Sequence, residues 1–243
     1  MIEVRDLEKR FGDVVAVDGL SFRASDGSVT ALLGPNGAGK TTTLRAIYGL
    51  IQPDGGQVLV DGIDVGSSPL EAQARLGVLP ECRGLYSRLT ARDHLLYFAG
   101  LRGLRGPEAE SRCSALIELL DMGDIAGRRS EGFSHGERTK VALSSSLVHG
   151  PSNVVLDEPT NGLDVMSTRT IRGFIRKLRD EGKCVLFSSH VMQEVAAVCD
   201  SIVIVSAGRL VAHSTPEALL ANTGQDSLED AFVKLTERGT VPA

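Results

Sequence analysis

The chain has 243 residues, of which 42% are hydrophobic and 23% charged, and its formal net charge is −5. These are ordinary values for a folded protein, and the length suits one large domain or a domain carrying an inserted subdomain. The acidic balance gives no basic face, so we expect no nucleic-acid partner. Apolar runs such as Ile202–Val205 are too short to span a bilayer. The four cysteines form no close pair, which favours reduced thiols and a cytoplasmic location.

The N-terminal part has the alternation and turn residues of short strands. These runs predict an antiparallel β subdomain followed by one buried parallel strand: Ile2–Arg5, Val14–Val17, Leu20–Phe22 and Val29–Leu33. Thr41 to Leu50 has helical character, and Gln57–Val60 predicts an edge strand closed by an Asp-Gly turn.

The middle of the chain changes character, because Leu, Ala, Arg and Glu dominate from about 85 to 150 and β-branched runs disappear. This composition predicts a helical insertion. Strands at Val154–Leu156, Cys184–Phe187 and Ile202–Val205 then alternate with helices near 165–181 and 191–199. The predicted fold is α/β, a mainly parallel, helix-covered sheet with an N-terminal antiparallel β subdomain and an inserted helical subdomain.

A glycine-rich segment between the predicted strand and helix fits the pattern G-x-x-x-x-G-K-[ST] of a phosphate-binding loop. Its glycines let backbone N–H groups point at phosphate oxygens, and the following helix adds its positive end. A chance glycine-rich turn is the alternative, but the strand and helix on either side favour the phosphate loop. We therefore predict ATP-binding residues Gly34, Pro35, Asn36, Gly37, Ala38, Gly39, Lys40, Thr41 and Thr42.

Three further residues complete the predicted catalytic site with Lys40. The strand Asn153–Leu156 ends in Asp157 and Glu158, where a magnesium ligand and a general base are expected. His190 ends the next strand of the parallel sheet, so it should share the same crevice. With Thr41, Asp157 is a predicted magnesium ligand, while Glu158, His190 and Lys40 are predicted to be catalytic.

In this order the motifs resemble the ATP-binding subunit of ABC transporters, over essentially the whole chain. Phe133-Ser-His-Gly-Glu137 resembles the family's signature, usually Leu-Ser-Gly-Gly-Gln, and Asn161–Asp164 resembles its dimer-interface loop. Phe11, ahead of the first β-hairpin, matches the family's adenine-stacking residue. The resemblance implies an ABC ATPase domain at 1–215, with the helical subdomain at about 85–150, and a helical tail at 216–243.

The resemblance also implies an ATPase in which two subunits enclose two ATP molecules. The signature residues Ser134, His135, Gly136 and Glu137 of one copy would face the ATP bound by the other, and Asp164 would lie in the dimer loop. ATP and Mg²⁺ are the implied cofactors, and a second ATPase subunit is the implied partner, with a homodimer expected.

Three positions depart from the family pattern. His135 replaces the signature's first glycine and would be strained if the backbone there required a positive φ; otherwise it only adds a contact. Glu137 replaces glutamine. Glu81 stands where the family commonly has a glutamine that binds magnesium, and its carboxylate can also serve as a ligand.

Leu79–Tyr86 and Ser227–Lys234 resemble the ABC-2 exporter class, and within it the sodium-extrusion type. This implies a separate membrane-spanning permease, a peripheral position at the inner face of the cell membrane, and sodium ions as substrate. Two alternatives are a soluble ABC ATPase without a transporter partner and a small-molecule kinase. The kinase would need neither the signature nor His190.

Overall fold

A computed structural model describes residues 1–81 and 84–239, in which the strands form two sheets. The first sheet is antiparallel, with β2 (Val14–Ala24) and β1 (Ile2–Phe11) followed by β4 (Gly55–Val60) and β5 (Ile63–Asp64). The prediction of an edge strand at 57–60 is wrong, because β4 pairs with β1 on one side and with β5 on the other. The two-residue β5, too short for a sequence signal, takes the edge.

The second sheet is mainly parallel and carries the predicted site. Its order is β10-β9-β3-β8-β7-β6, and only β10 runs antiparallel to its neighbour. Sequence reasoning missed the two edge strands, since β6 has four residues and β10 is half-exposed. The strand bounds are β3 Ser28–Leu33, β6 Leu76–Leu79, β7 Asn153–Asp157, β8 Cys184–Ser189, β9 Ser201–Ser206 and β10 Arg209–Ser214.

Helices cover both faces of this sheet, and three of them form the predicted insertion between β6 and β7. Within the described ranges, no helix combines the length and the apolar composition of a membrane span. The helix bounds are α1 Lys40–Ile47, α2 Pro69–Ala74, α3 Ala91–Leu101, α4 Gly106–Leu119, α5 His135–Leu147, α6 Val165–Asp180, α7 Met192–Val198, α8 Pro216–Thr223 and α9 Leu228–Gly239.

The core divides at the parallel sheet. Val29, Ala31 and Leu33 of β3 face the layer that contains the inserted helices, whereas Leu32 faces α1 and the antiparallel sheet. Because alternate residues of a strand point to opposite faces, a strand buried on both sides is apolar throughout. Helix α1 is thus held between the two sheets, which fixes the loop that precedes it.

The C-terminal helices pack onto the first of these layers. Leu219 of α8 is buried in it, and Leu228, Phe232 and Leu235 of α9 lie against it. The division of the chain at residue 215 stays a prediction.

Candidate active site

The predicted phosphate loop joins the end of β3 to the start of α1. Gly37 and Gly39 have φ angles of 80° and 101°, which side-chain-bearing residues rarely adopt. Gly34 is needed for a different reason, because a Cβ there would lie 2.3 Å from the carbonyl oxygen of Val205. Gly39 also approaches backbone closely, with Ala16 O 2.5 Å from its Cβ position. Both the curvature and the close contacts therefore select glycine.

Lys40 is the first residue of α1, and only 7% of it is exposed. Its Nζ donates to the carbonyl oxygens of Gly34 at 2.8 Å and Pro35 at 3.2 Å, and lies 3.9 Å from Glu158 Oε1. Burial lowers the pKa of Lys40, while the charges of Glu158 and Asp157 oppose that shift. The ammonium group is held inside the loop where an incoming phosphate would meet it.

Asp157 and Glu158 are connected through Ser188, a residue that the sequence analysis did not single out. Asp157 lies opposite Ser188 in the parallel pairing of β7 and β8. Ser188 Oγ donates to Asp157 Oδ1 at 2.6 Å and accepts from the Glu158 backbone N–H at 2.9 Å. The signal for Ser188 was its place in a strand end two residues before His190.

Glu158 is bonded to His190, as expected for residues at neighbouring strand ends. The φ angle of Glu158 is 47°, an uncommon value for a residue other than glycine. His190 Nδ1 is 3.0 Å from both carboxylate oxygens of Glu158, so Nδ1 carries the donated proton. Lys40, Glu158 and His190 thus meet at one end of the sheet.

A second polar cluster, formed by Thr160, Glu194 and Arg172, lies next to this site and was not predicted from the sequence. The Thr160 hydroxyl donates to Glu194 Oε2, and Arg172 is 3.7 Å from the other oxygen of that carboxylate. Burial raises the pKa of Glu194, against the opposing charge of Arg172. Glu194 is on α7, which follows His190, and no local sequence pattern connected it to Thr160.

The signature residues begin helix α5. Ser134 is its N-cap, and its Oγ accepts from the Glu137 N–H at 3.2 Å. The Glu137 carboxylate accepts from the Ser134 N–H at 2.7 Å and from Arg128 at 3.0 Å. Partial burial raises the pKa of Glu137, but these bonds outweigh it and lower the pKa overall. Glu137 therefore completes a capping box.

His135 is the first residue of α5 and is unstrained, since it is absent from the residues with positive φ in the described structure. Its Nε2 lies 3.0 Å from the carbonyl oxygen of Asn161. Of the two outcomes considered for His135, backbone strain or an added contact, the structure therefore shows the added contact. The next residue, Gly136, leaves no room for a side chain, because Ser167 Oγ would be 2.5 Å from its Cβ.

The predicted dimer loop, residues 161–164, ends at Asp164, which is the N-cap of α6. Asp164 accepts from the N–H of Ser167 at 2.9 Å and from its hydroxyl at 2.6 Å. The bonds from Ser167 lower the pKa of Asp164. The signature and the dimer loop are therefore in contact within one copy of the chain.

Phe11 is the last residue of β1, so it lies within the first hairpin and not ahead of it as expected. Half of the residue, 51%, is exposed, and Lys9 Nζ lies 5.5 Å from the ring centroid. The short turn at Gly12 brings the aromatic residue to the hairpin end. The ring is accessible for stacking on a flat ligand.

The predicted magnesium ligands offer oxygen atoms only. Asp157 is buried, Thr41 is half-buried, and Glu81 is exposed after β6. Within residues 1–81 and 84–239, no three or more His, Cys, Asp or Glu side chains form a group suited to binding a metal ion. Mg²⁺ commonly uses one or two carboxylates together with substrate phosphates, so the donor chemistry fits once a nucleotide supplies oxygens.

The sequence and the fold were compared with known proteins. A family model described as ABC transporter matches residues 17–161. The ABC transporter ATP-binding protein NatA of Bacillus subtilis is 41% identical, across 98% of this chain and 99% of the relative. The Nod factor export ATP-binding protein I of Burkholderia lata is 37% identical, across 94% of this chain and 75% of the relative.

Solved structures agree with this assignment. An ATP-binding subunit of an ABC transporter superposes with a TM-score of 0.89 at 29% identity, covering 97% of this chain and 99% of that one. A dimeric ATP-binding cassette bound to ADP and Pi shares the fold, with a TM-score of 0.80 at 21% identity over 88% of this chain and 98% of that one. The chain belongs to the ABC transporter family, as an ATP-binding subunit with ATPase activity.

Proposed function

We propose that the chain drives an ABC-2 type exporter by closing as a homodimer around two ATP molecules. The observation that carries this proposal is the position of two donor groups. Lys40 is buried in its loop beside Glu158, whereas Ser134 is exposed at the start of another helix. A second copy is needed to bring an exposed signature onto a bound phosphate.

Within one copy, the phosphate oxygens of ATP would replace the carbonyls of Gly34 and Pro35 as partners of Lys40. Thr41, Asp157 and Glu81 would hold Mg²⁺, which neutralises phosphate charge. Glu158 would take the proton of the attacking water, and His190, now bonded to Glu158, would be placed to contact the γ-phosphate.

The surface next to the dimer loop supports closure between two copies. Val165 and Met166 follow Asp164 directly and are 82% and 69% exposed. Two large apolar side chains beside an exposed helix start are suited to burial in a protein interface. A symmetric dimer would present this surface twice.

The permease surface is proposed on the inserted helices. On α3 and just before it, Leu95 is fully buried, but Tyr86 and Tyr97 are 56% and 45% exposed, and Leu101 is 63% exposed. The tyrosine rings lie edge to face, 5.6 Å apart. This aromatic surface would meet a permease at the inner face of the cell membrane. An ATPase without a transporter partner is not favoured by the relatives reported above.

The test is co-expression with its candidate membrane subunit, followed by reconstitution in vesicles that contain sodium-sensitive dye. ATP-dependent sodium movement, absent with Glu158→Gln, supports both the exporter and its substrate. Co-purification with ATP-dependent movement of another solute would reject sodium only. A chain that hydrolyses ATP but binds no membrane subunit would reject the exporter.

A further inference from the structure

His135 connects the signature helix to the catalytic strand through one residue, Asn161. The Asn161 carbonyl accepts from His135 Nε2 at 3.0 Å, and the Asn161 N–H donates to the carbonyl oxygen of Glu158 at 3.2 Å. The same short segment therefore bonds to the first residue of α5 and to the backbone of the predicted general base.

The His135 ring also lies against the turn at Gly162, the residue after Asn161. Gly162 has a φ angle of 71°, and a Cβ at that position would be 3.5 Å from Cδ2 and Nε2 of His135. A carbonyl oxygen can only accept, so Nε2 is protonated whatever the charge of the ring. The contact fixes the position of Asn161 relative to α5.

A glycine, which is usual at this position in the family's signature, has no side chain to make this bond. We propose that His135 is a positioning residue that couples the signature helix to Glu158 of the same subunit through Asn161. The inference rests on the proposed dimer, in which the signature contacts the nucleotide of the other copy. Movement of α5 on that nucleotide would then be transmitted to the general base of its own site.

The test compares His135→Ala with His135→Gln in the full chain. Alanine removes the donor but leaves the Ser134 cap and the close packing of Gly136 on Ser167. Glutamine carries an amide donor at a similar reach. We expect kcat to fall about fivefold with alanine, the equivalent of one neutral hydrogen bond, and to recover with glutamine.

The same substitutions are made in the Glu158→Gln background to measure the ATP concentration at half-maximal dimerisation. We expect a change within about twofold, because the side chain faces its own dimer loop and not the nucleotide of the other copy. An unchanged kcat, or a kcat loss that glutamine does not restore, would overturn the inference. So would weakened dimerisation with normal kcat at saturating ATP.

The parent Glu158→Gln protein distinguishes this failure from that of the proposed function. If the parent stays monomeric with saturating ATP and magnesium, the dimer mechanism is wrong and the inference falls with it. If the parent dimerises and the alanine variant behaves as the parent in both assays, the inference alone is rejected.

Discussion

The phosphate loop with its catalytic strand ends and the signature at the start of α5 are built in opposite ways. Lys40 and Glu158 are 7% and 9% exposed and have polar partners within the same copy. Ser134 and His135 are exposed, at a helix start held by a capping box. A buried site must satisfy its charges internally, while an exposed helix N-terminus keeps donors available for an anion brought by another molecule.

This contrast predicts different consequences for substitutions in the two regions. Substitutions of the buried residues Lys40 and Glu158 should reduce ATP hydrolysis or ATP binding in every copy that carries them. A change at Ser134 should leave the copy folded and impair its action on the other copy.

The largest effect is expected for Glu158→Gln. Loss of the general base should reduce ATP hydrolysis on the order of 10³-fold while ATP binding persists, which traps a stable dimer. Steady-state phosphate release and size-exclusion chromatography with ATP measure both properties. Glu181→Gln, an exposed position at the end of α6, is the matched control. Near-normal hydrolysis in Glu158→Gln would reject its role.

Lys40→Ala should follow, with ATP turnover reduced by about 10²–10³-fold because a buried cation aimed at phosphate is lost. Nucleotide binding should weaken in the same variant. Lys177→Ala on the exposed face of α6 removes the same charge without touching the loop. Comparable hydrolysis by these two variants would mean that Lys40 does not contact the phosphates.

Ser134→Asp separates capping from phosphate contact. Aspartate caps a helix as well as serine does, so stability should change by less than about 0.5 kcal/mol. Its carboxylate would repel a phosphate, and half-maximal dimerisation of the Glu158→Gln protein should need at least about tenfold more ATP. Thr215→Asp makes the same type of change at the N-cap of α8 and should not shift dimerisation. An equal shift in the ATP requirement of both variants would mean that Ser134 does not contact the phosphate specifically.

The smallest expected effect is on the pH dependence of stability, through a contact just after the C-terminus of α5. His149 follows α5, and its Nε2 lies 3.1 Å from the carbonyl oxygen of Leu76. Burial, with Arg102 nearby, lowers the pKa of His149 from 6.5 to about 4. The unfolded chain therefore binds this proton more readily, so the stabilisation is complete above pH 6.5 and is lost as the pH falls towards 4.

His149→Gln keeps a donor but does not titrate in this range. The unfolding free energy of the variant, measured by urea titration at pH 7.5 and pH 5, should fall less on acidification than that of the original chain. An identical decrease in both proteins would show that His149 does not contribute to the pH dependence.

The parallel sheet, and the placing of the residues predicted to be catalytic at one end of it, followed from strong local signals in the sequence. Short apolar runs marked β3, β7 and β8, and the spacing of glycines marked the phosphate loop. Lys40, Glu158 and His190 could be placed together because parallel strand ends share one edge.

The remaining contacts depend on tertiary structure, which no local pattern encodes. Ser188 is paired with Asp157 by strand register, and Glu194 of α7 accepts from Thr160 in the turn after β7. Whether His135 is strained depended on its backbone angles, and its hydrogen-bond partner depended on the path of residues 161–164. The edge position of β5 required knowledge of strand order.

The most direct test of the central claim mixes Lys40→Ala with Ser134→Asp. Each variant alone should hydrolyse ATP poorly. A mixed dimer contains one site with both defects and one site with neither, so random association should restore about a quarter of the original rate. A mixture whose rate equals the average of the separate residual rates would contradict the claim that one copy's signature completes the site of another.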